Sequence, residues 1–148
     1  MFDIVKHMYY SKKMGIGVMT AFLIAGHTTG IDPALLSSLC YEESKYNTHA
    51  FAEHDGHTPS FGLCQIKLKT ARELGYRGRA VGLMDAETNA LYAAKYLAKQ
   101  KKRWGTWARA ISAYNAGHPA RCNQHYVQTI LWRWEHELRE RRLVQMYR

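Results

Sequence analysis

The chain has 148 residues, 47% of them apolar, and a formal net charge of +9. That length supports one domain, 1–148, with a real core, and the spread of aromatics excludes a disordered or low-complexity protein. Residues 1–94 hold nine Lys/Arg and nine Asp/Glu while 95–148 hold twelve and three, so the positive excess lies wholly in the second part, where it favours a polyanionic partner or a solvated basic face.

Taken in chain order, the elements are mostly helical. Residues 14–26 form an apolar run preceded by Lys12 and Lys13. It reads either as the h-region of a signal peptide or as the first helix of the domain, 13–27. It is too short to span a bilayer well, and the domain helix is favoured because only a short Gly-bearing turn separates it from the next helix. Asp32-Pro33 reads as an N-cap followed by a proline at the first helical position, opening a helix to Glu43–Lys45. Residues 46–62 are expected as a polar loop, 67–74 as a short helix and 75–85, with three glycines, as loop. Helices follow over 86–103 and 106–115, the second stopped by Gly117-His118-Pro119. The last, 123–143 within a basic C-terminal segment 123–148, carries Val127, Ile130, Leu131, Trp134 and Leu138 on one face. No run alternates convincingly, so the fold class is mainly α with at most a small β element.

Three cysteines make an odd count. Cys40 sits on the apolar face of the second helix, Cys64 in an apolar-flanked run and Cys122 after a Gly/Pro turn. No CxxC or Cys/His spacing suggests zinc. Buried free thiols made in a reducing compartment are the expectation; one disulfide with one free thiol is the alternative.

On the second helix, Leu35, Leu36, Leu39 and Cys40 define an apolar stripe. At about 100° per residue Glu43 projects onto its middle and Glu42 onto its edge. A carboxylate on a buried face finds a partner or shifts its pKa upward, which is what a general acid needs near neutral pH. The plain alternative is a helix end that bends Glu43 out to solvent.

Three segments now line up: Glu43-Ser44 with Tyr46, Asn47 and Ala50; Phe61-Gly62-Leu63-Cys64-Gln65-Ile66 with Thr70-Ala71; and Ala113-Tyr114-Asn115-Ala116-Gly117. Together they resemble the lytic transglycosylases of the soluble-transglycosylase (SLT) type, relatives of goose-type lysozyme, which carry an ES pair, a GLMQ segment and an AYNAG segment in this order. The likeness spans about residues 15–135, with weaker matches at Asn89 to Leu97 and at Tyr126-Val127. It implies a lysozyme-like α+β fold and a single catalytic acid, Glu43. The acid protonates the oxygen between MurNAc and GlcNAc, then accepts the proton of the C6 hydroxyl as that hydroxyl closes on C1 to give a 1,6-anhydro product. An attached nucleophile profits from high effective molarity, so no enzymic one is required, unlike the two-carboxylate glycosidases. The resemblance further implies that Gly62, Gln65, Tyr114 and Asn115 position sugar, that Tyr126 supports or contacts Glu43, and that Ser44 caps or orients backbone. No cofactor is implied. The implied partner is the peptidoglycan glycan strand, met by a monomer.

The chain departs from the family pattern in places. Cys64 replaces the methionine of GLMQ, Ala52 stands where a small polar residue is usual, and Cys122 where an acid precedes the late Tyr-Val. The loop 51–61 is longer and richer in histidine than usual. Glu53 and Asp55 read first as solvated loop acids; the alternative is that either reaches over the cleft and positions a water, which would make the enzyme a hydrolase. His49, His54 and His57 with Asp55 lack a regular ligand spacing, so no metal site is expected; these histidines alternatively adjust loop charge between about pH 5 and 7. Trp132, Arg133, Trp134, Arg139, Arg141, Arg142 and Arg148 make the last helix basic and amphipathic, able to hold an anionic envelope surface.

A phage endolysin acting in the periplasm, made in the host cytoplasm, is the expected setting; a transglycosylase that opens the wall for a secretion or conjugation machine is the second. A basic helical nucleic-acid binder is the competing class. It leaves Glu43 unexplained, and no recognition helix with base-reading residues stands out, so no nucleic-acid partner is expected. A wall-binding module without activity would have no use for Glu43.

Overall fold

A computed structural model describes residues 2–147, with side chains from Met14 to Tyr147. Among the described residues it contains six helices and a small antiparallel sheet, a mainly α, lysozyme-like fold.

Helix α1 (Phe2–Thr29) is broken at Gly15, where φ is 68° and ψ is 153°. Its Ala21, Phe22 and Ala25 enter the core, while Ile16, Met19, Leu23 and Ile24 face outward. No helix among the described residues is long and apolar enough to cross a membrane. The turn into α2 (Pro33–Ser44) is tight. A Cβ on Gly26 would come within 2.6 Å of the Pro33 ring, so only glycine lets α1 pass there. Asp32 caps α2 as its composition predicts, Oδ1 accepting from the Ala34 amide at 2.8 Å, and the helix ends on a left-handed Lys45.

Residues 46–62 depart from the polar loop expected. β1 (Phe51–Asp55) and β2 (Thr58–Phe61) form a hairpin, extended by β3 (Ile66–Lys67) in the order β1-β2-β3. Phe51 faces Phe61 and Ala52 faces Ser60, with a register shift before Asp55 meets Thr58. β1 and β2 are only five and four residues long and β3 two, and β1 places Glu53, His54 and Asp55 in succession, so they lack the alternating hydrophobicity by which a half-buried strand is read. What holds them is the ladder and a positive-φ Gly56 at the turn.

Helix α3 (Leu68–Glu73) follows. The expected loop 75–85 tightens into a 3-10 turn at Ala80–Met84. α4 (Ala86–Trp104) starts at Asp85, whose Oδ2 accepts from the Thr88 amide at 2.9 Å, and stops at Gly105 with φ 85°. α5 (Trp107–Ala116) is capped by Thr106 and ends on left-handed Gly117, and α6 (Gln124–Met146) closes the chain. α1 lies along α4, α4 against α5, and α2 against α6. Leu35, Leu36, Leu39, Leu63, Leu83, Leu97, Ile111 and Ile130 fill the space between them, none of them exposed.

Candidate active site

Glu43 lies in the last turn of α2, and α6 passes in front of it. The Tyr126 hydroxyl, on the first turns of α6, donates a hydrogen bond to Glu43 Oε1. The stripe that aims Glu43 inward is real, for Ala34, Leu35, Leu36, Leu39 and Cys40 are all buried. Burial lifts the Glu43 carboxyl from the usual 4.5 to about 7. The Tyr126 hydrogen bond opposes the rise, the negative charges of Asp55 and Glu42 add to it, and Lys45 opposes it. Tyr126 is itself held well above the usual phenol range, by burial first and by the Glu43 charge second. It therefore stays a neutral donor. One residue away the outcome is different: Glu42 points to the rim, 3.4 Å from Lys45 Nζ and 3.6 Å from Arg133 Nε. Arg133 in turn lies over the Tyr41 ring.

The segment Gly62–Gln65 crosses beside the acid, and most of the polar side chains expected to meet sugar are bonded to it or belong to it. Ser44 Oγ donates to the Leu63 carbonyl at 2.6 Å. Tyr114 Oη donates to the Cys64 carbonyl at 2.8 Å, from a buried position against Tyr96. Gln65, at φ 50°, accepts from Ser60 Oγ and donates to the carbonyls of Ala50 and Gly62. Gly62, at φ 74°, approaches the protein itself: a Cβ there would run into the Leu83 carbonyl oxygen and come within 2.6 Å of the Asn89 amide nitrogen. Asn115 stands exposed at the end of α5, its Oδ1 accepting from Asn123 Nδ2 at 3.1 Å.

Two members of this scaffold were not read as such from the sequence: a buried asparagine, and the pairing of the one disulfide that stood as the alternative there. Asn89 is wholly buried; its Oδ1 accepts from the Cys64 amide at 2.8 Å and its Nδ2 donates to the carbonyls of Phe61 and Leu83. The available signal was an asparagine on the stripe Ala90, Ala93, Ala94 and Leu97, where an apolar residue belongs unless backbone must be satisfied. The other is a disulfide. Cys40 and Cys64 are bonded, with Cα atoms 4.3 Å apart and both residues fully buried. This corrects the expectation of buried free thiols: the pairing joins a helix face to a loop 24 residues on, which spacing alone does not reveal. Cys122 is the free one and is exposed.

The His-bearing hairpin does not converge. His49 Nδ1 pairs with Thr48 Oγ1, and His54 lies 3.9 Å from Glu53, both well exposed. Among the described residues no group of three His, Cys, Asp or Glu is placed to hold a metal ion. Asp55 sits at the end of β1, its carboxylate 3.7 Å from Lys67 Nζ, close enough for its charge to be felt at Glu43.

A buried carboxyl held by a phenol, at a helix end of a lysozyme-like fold, is an arrangement suited to acid catalysis. Residues 20–129 match the Transglycosylase SLT domain, so the chain belongs to that family of peptidoglycan lytic transglycosylases. It is similar to the X polypeptide of Escherichia coli and to the X polypeptide of Escherichia coli strain K12, each 33% identical over 98 residues. That alignment covers 65% of this chain and 58% of each relative, so the chain spans less than two thirds of the length of the curated relatives it matches.

Proposed function

We propose that the chain is a peptidoglycan lytic transglycosylase in which Glu43 acts first as acid and then as base. The observation that carries this reading is a buried carboxyl at the end of α2 held by the Tyr126 hydroxyl; burial lifts its pKa to about 7, which suits a group that gives a proton and takes one back. Glu43 gives its proton to the oxygen bridging MurNAc and GlcNAc as the C1–O bond breaks. The MurNAc C6 hydroxyl then attacks C1, its proton passes to the Glu43 carboxylate, and the 1,6-anhydro ring closes. The acid is restored with no water consumed. Tyr126 orients the carboxyl in both halves, while Ser44, Gly62, Gln65 and Tyr114 hold the wall beside it and Asn115, exposed and held by Asn123, meets saccharide at the surface. Hydrolysis is the second reading, supported by the charge of Asp55 reaching Glu43; the ion pair that ties Asp55 to Lys67 weighs against it.

The setting we propose is the periplasmic wall, reached by a monomer, with phage-driven lysis as its use. The Cys40–Cys64 disulfide needs an oxidising compartment. It favours, as a second setting, an exported enzyme that opens the wall for a secretion or conjugation machine. Mass spectrometry of muropeptides released from Gram-negative peptidoglycan tests the chemistry. Anhydro-muropeptides, one water lighter than hydrolysed products and missing with Glu43→Gln, are expected. Reducing-end products would replace the lyase by a hydrolase, and no release from a substrate that another lysin digests would remove the enzyme reading.

A further inference from the structure

Tyr126 reaches Glu43 only while α6 keeps its place against α2, and a residue about two turns further along α6 clasps α2 beside the acid. Tyr126, Ile130, Arg133 and Trp134 share one face of α6 at helical spacing. Ile130 is fully buried, and Trp134 Nε1 donates to Asp32 Oδ2 at 3.0 Å, at the N-cap of α2. Arg133 reaches the other way, to the last turns of the same helix. Its guanidinium carbon lies 4.1 Å from the centre of the Tyr41 ring, and its Nε lies 3.6 Å from Glu42 Oε2. Arg133 thus holds the two residues that directly precede Glu43. The start of α6 is tied to a different helix: Asn123 donates to the Ser112 carbonyl and to Asn115 Oδ1, both on α5.

These are not the contacts of an ordinary surface ion pair. Arg133 Nε is buried and makes no hydrogen bond among the described residues, and 3.6 Å to Glu42 is beyond that range. A buried donor without a partner is costly, and an apolar side chain at this place would avoid the cost. What the arginine supplies instead is a flat cation on the Tyr41 face together with attraction to Glu42, a combination that lysine reproduces only in part. We propose that Arg133 is a positioning residue of the active site: by clasping Tyr41 and Glu42 it sets α6 against the end of α2, so that the Tyr126 hydroxyl meets the Glu43 carboxyl. The inference rests on the lyase reading above for its effect on rate, while the contact itself is measurable without substrate.

Glu43 also feels Asp55 from β1, Glu42 and Lys45 from its own helix end, and Tyr114 from α5. The Tyr126 bond favours the carboxylate, so its loss raises the Glu43 pKa. Removing Arg133 has two routes to the same rise. Tyr126 is drawn away from the acid, or the negative charge of Glu42 is left balanced by Lys45 alone. A double-variant cycle separates them, because the first route is already spent once the Tyr126 hydroxyl is gone.

Carbon-13 NMR of the side-chain carboxyl gives the Glu43 pKa in the wild type, Arg133→Gln, Tyr126→Phe and the double variant. Release of anhydro-muropeptides gives kcat for the same four proteins. Tyr126→Phe should raise the Glu43 pKa by about half to one unit and Arg133→Gln by about half of that or more. The double variant should rise no further than Tyr126→Phe alone. Arg133→Gln should lower kcat at pH 6 by about three- to tenfold with KM little changed, and should lower it no further in the Tyr126→Phe background. Arg133→Lys should recover part of both effects. Shifts that add in full would mean that Arg133 acts through the charge of Glu42, and an unmoved Glu43 pKa with a lowered Tm would leave Arg133 a staple of the fold; either overturns the proposal. Should circular dichroism show Arg133→Gln unfolded, Arg133→Lys is judged against Tyr126→Phe by the same rule. If none of the proteins releases anhydro-muropeptides and the shifts still fail to add, the positioning role stands and the lyase reading falls.

Discussion

Glu43 holds a proton at a pH where an exposed glutamate has long lost it, and the cause is desolvation, moderated by one phenol. Two measurements follow at this scale. The acid form fades as pH rises through about 7, so the alkaline limb of the kcat/KM profile should fall there. Tyr126 donates to the carboxylate and so favours it. Tyr126→Phe should therefore move that limb upward by about half to one pH unit and lower kcat at pH 6 by about tenfold or more through lost orientation. A limb left in place would detach Tyr126 from the acid. The same shift has a stability sign. With its folded pKa raised above the unfolded value, Glu43 favours the native state below about 4.5 and loses that advantage progressively up to about 7. Glu43→Gln keeps the acceptor for Tyr126 without the charge. In urea titrations it should match the wild type near pH 4 and exceed it above pH 7, by at most about 3 kcal/mol.

At the scale of elements, the site is a joint between the end of α2 and the segment Gly62–Gln65, closed by Ser44, Asn89, Tyr114 and the Cys40–Cys64 bond. The helices were legible in part from local signals, Asp32-Pro33 at the start of α2 and Gly117-His118-Pro119 after α5; the caps Asp85 and Thr106 emerge only in the structure. The inward aim of Glu43 was legible too, because 3.6-residue periodicity is a local property. The hairpin was not, since its strands are short and polar and depend on partners distant in sequence. Nor was the inward use of Gln65 and Asn89, because which carbonyl an amide reaches is decided by tertiary approach. The disulfide sets the prediction that belongs here. Its loop of 24 residues' separation stabilises by about 3 kcal/mol in the chain-entropy model. Loss of the bond also frees the carbonyl wall three residues from the acid. Cys40→Ala with Cys64→Ala should lower Tm by roughly 2–4 °C per kcal/mol lost, as expected for a chain of this length. It should also reduce kcat at temperatures where the variant is still folded. An unchanged kcat with a lowered Tm would make the bond a staple for the fold alone.

Across the whole molecule, the charge excess of residues 95–148 was legible, but its seat was not. On α6, Arg139 pairs with Glu135 at 2.7 Å and Arg141 with Glu137 at 3.0 Å, so the helix expected to carry the basic face neutralises much of it. Lys101, Lys102 and Arg103 crowd the last turn of α4, where cations complement the helix dipole. Arg109 follows on α5, and Trp104 and Trp107 lie beneath these charges. Long-range attraction to an anionic wall should therefore come from the α4–α5 corner. Raising ionic strength from about 0.01 M to 0.15 M shortens the screening length from about 30 Å to 8 Å. Over that range kcat/KM on intact sacculi should drop by about three- to tenfold. Lys102→Gln with Arg103→Gln should flatten the salt dependence. Arg139→Gln with Glu135→Gln, which removes a pair and leaves the net charge unchanged, should not. If the α6 pair flattens it and the corner does not, the attraction works through the C-terminal helix after all.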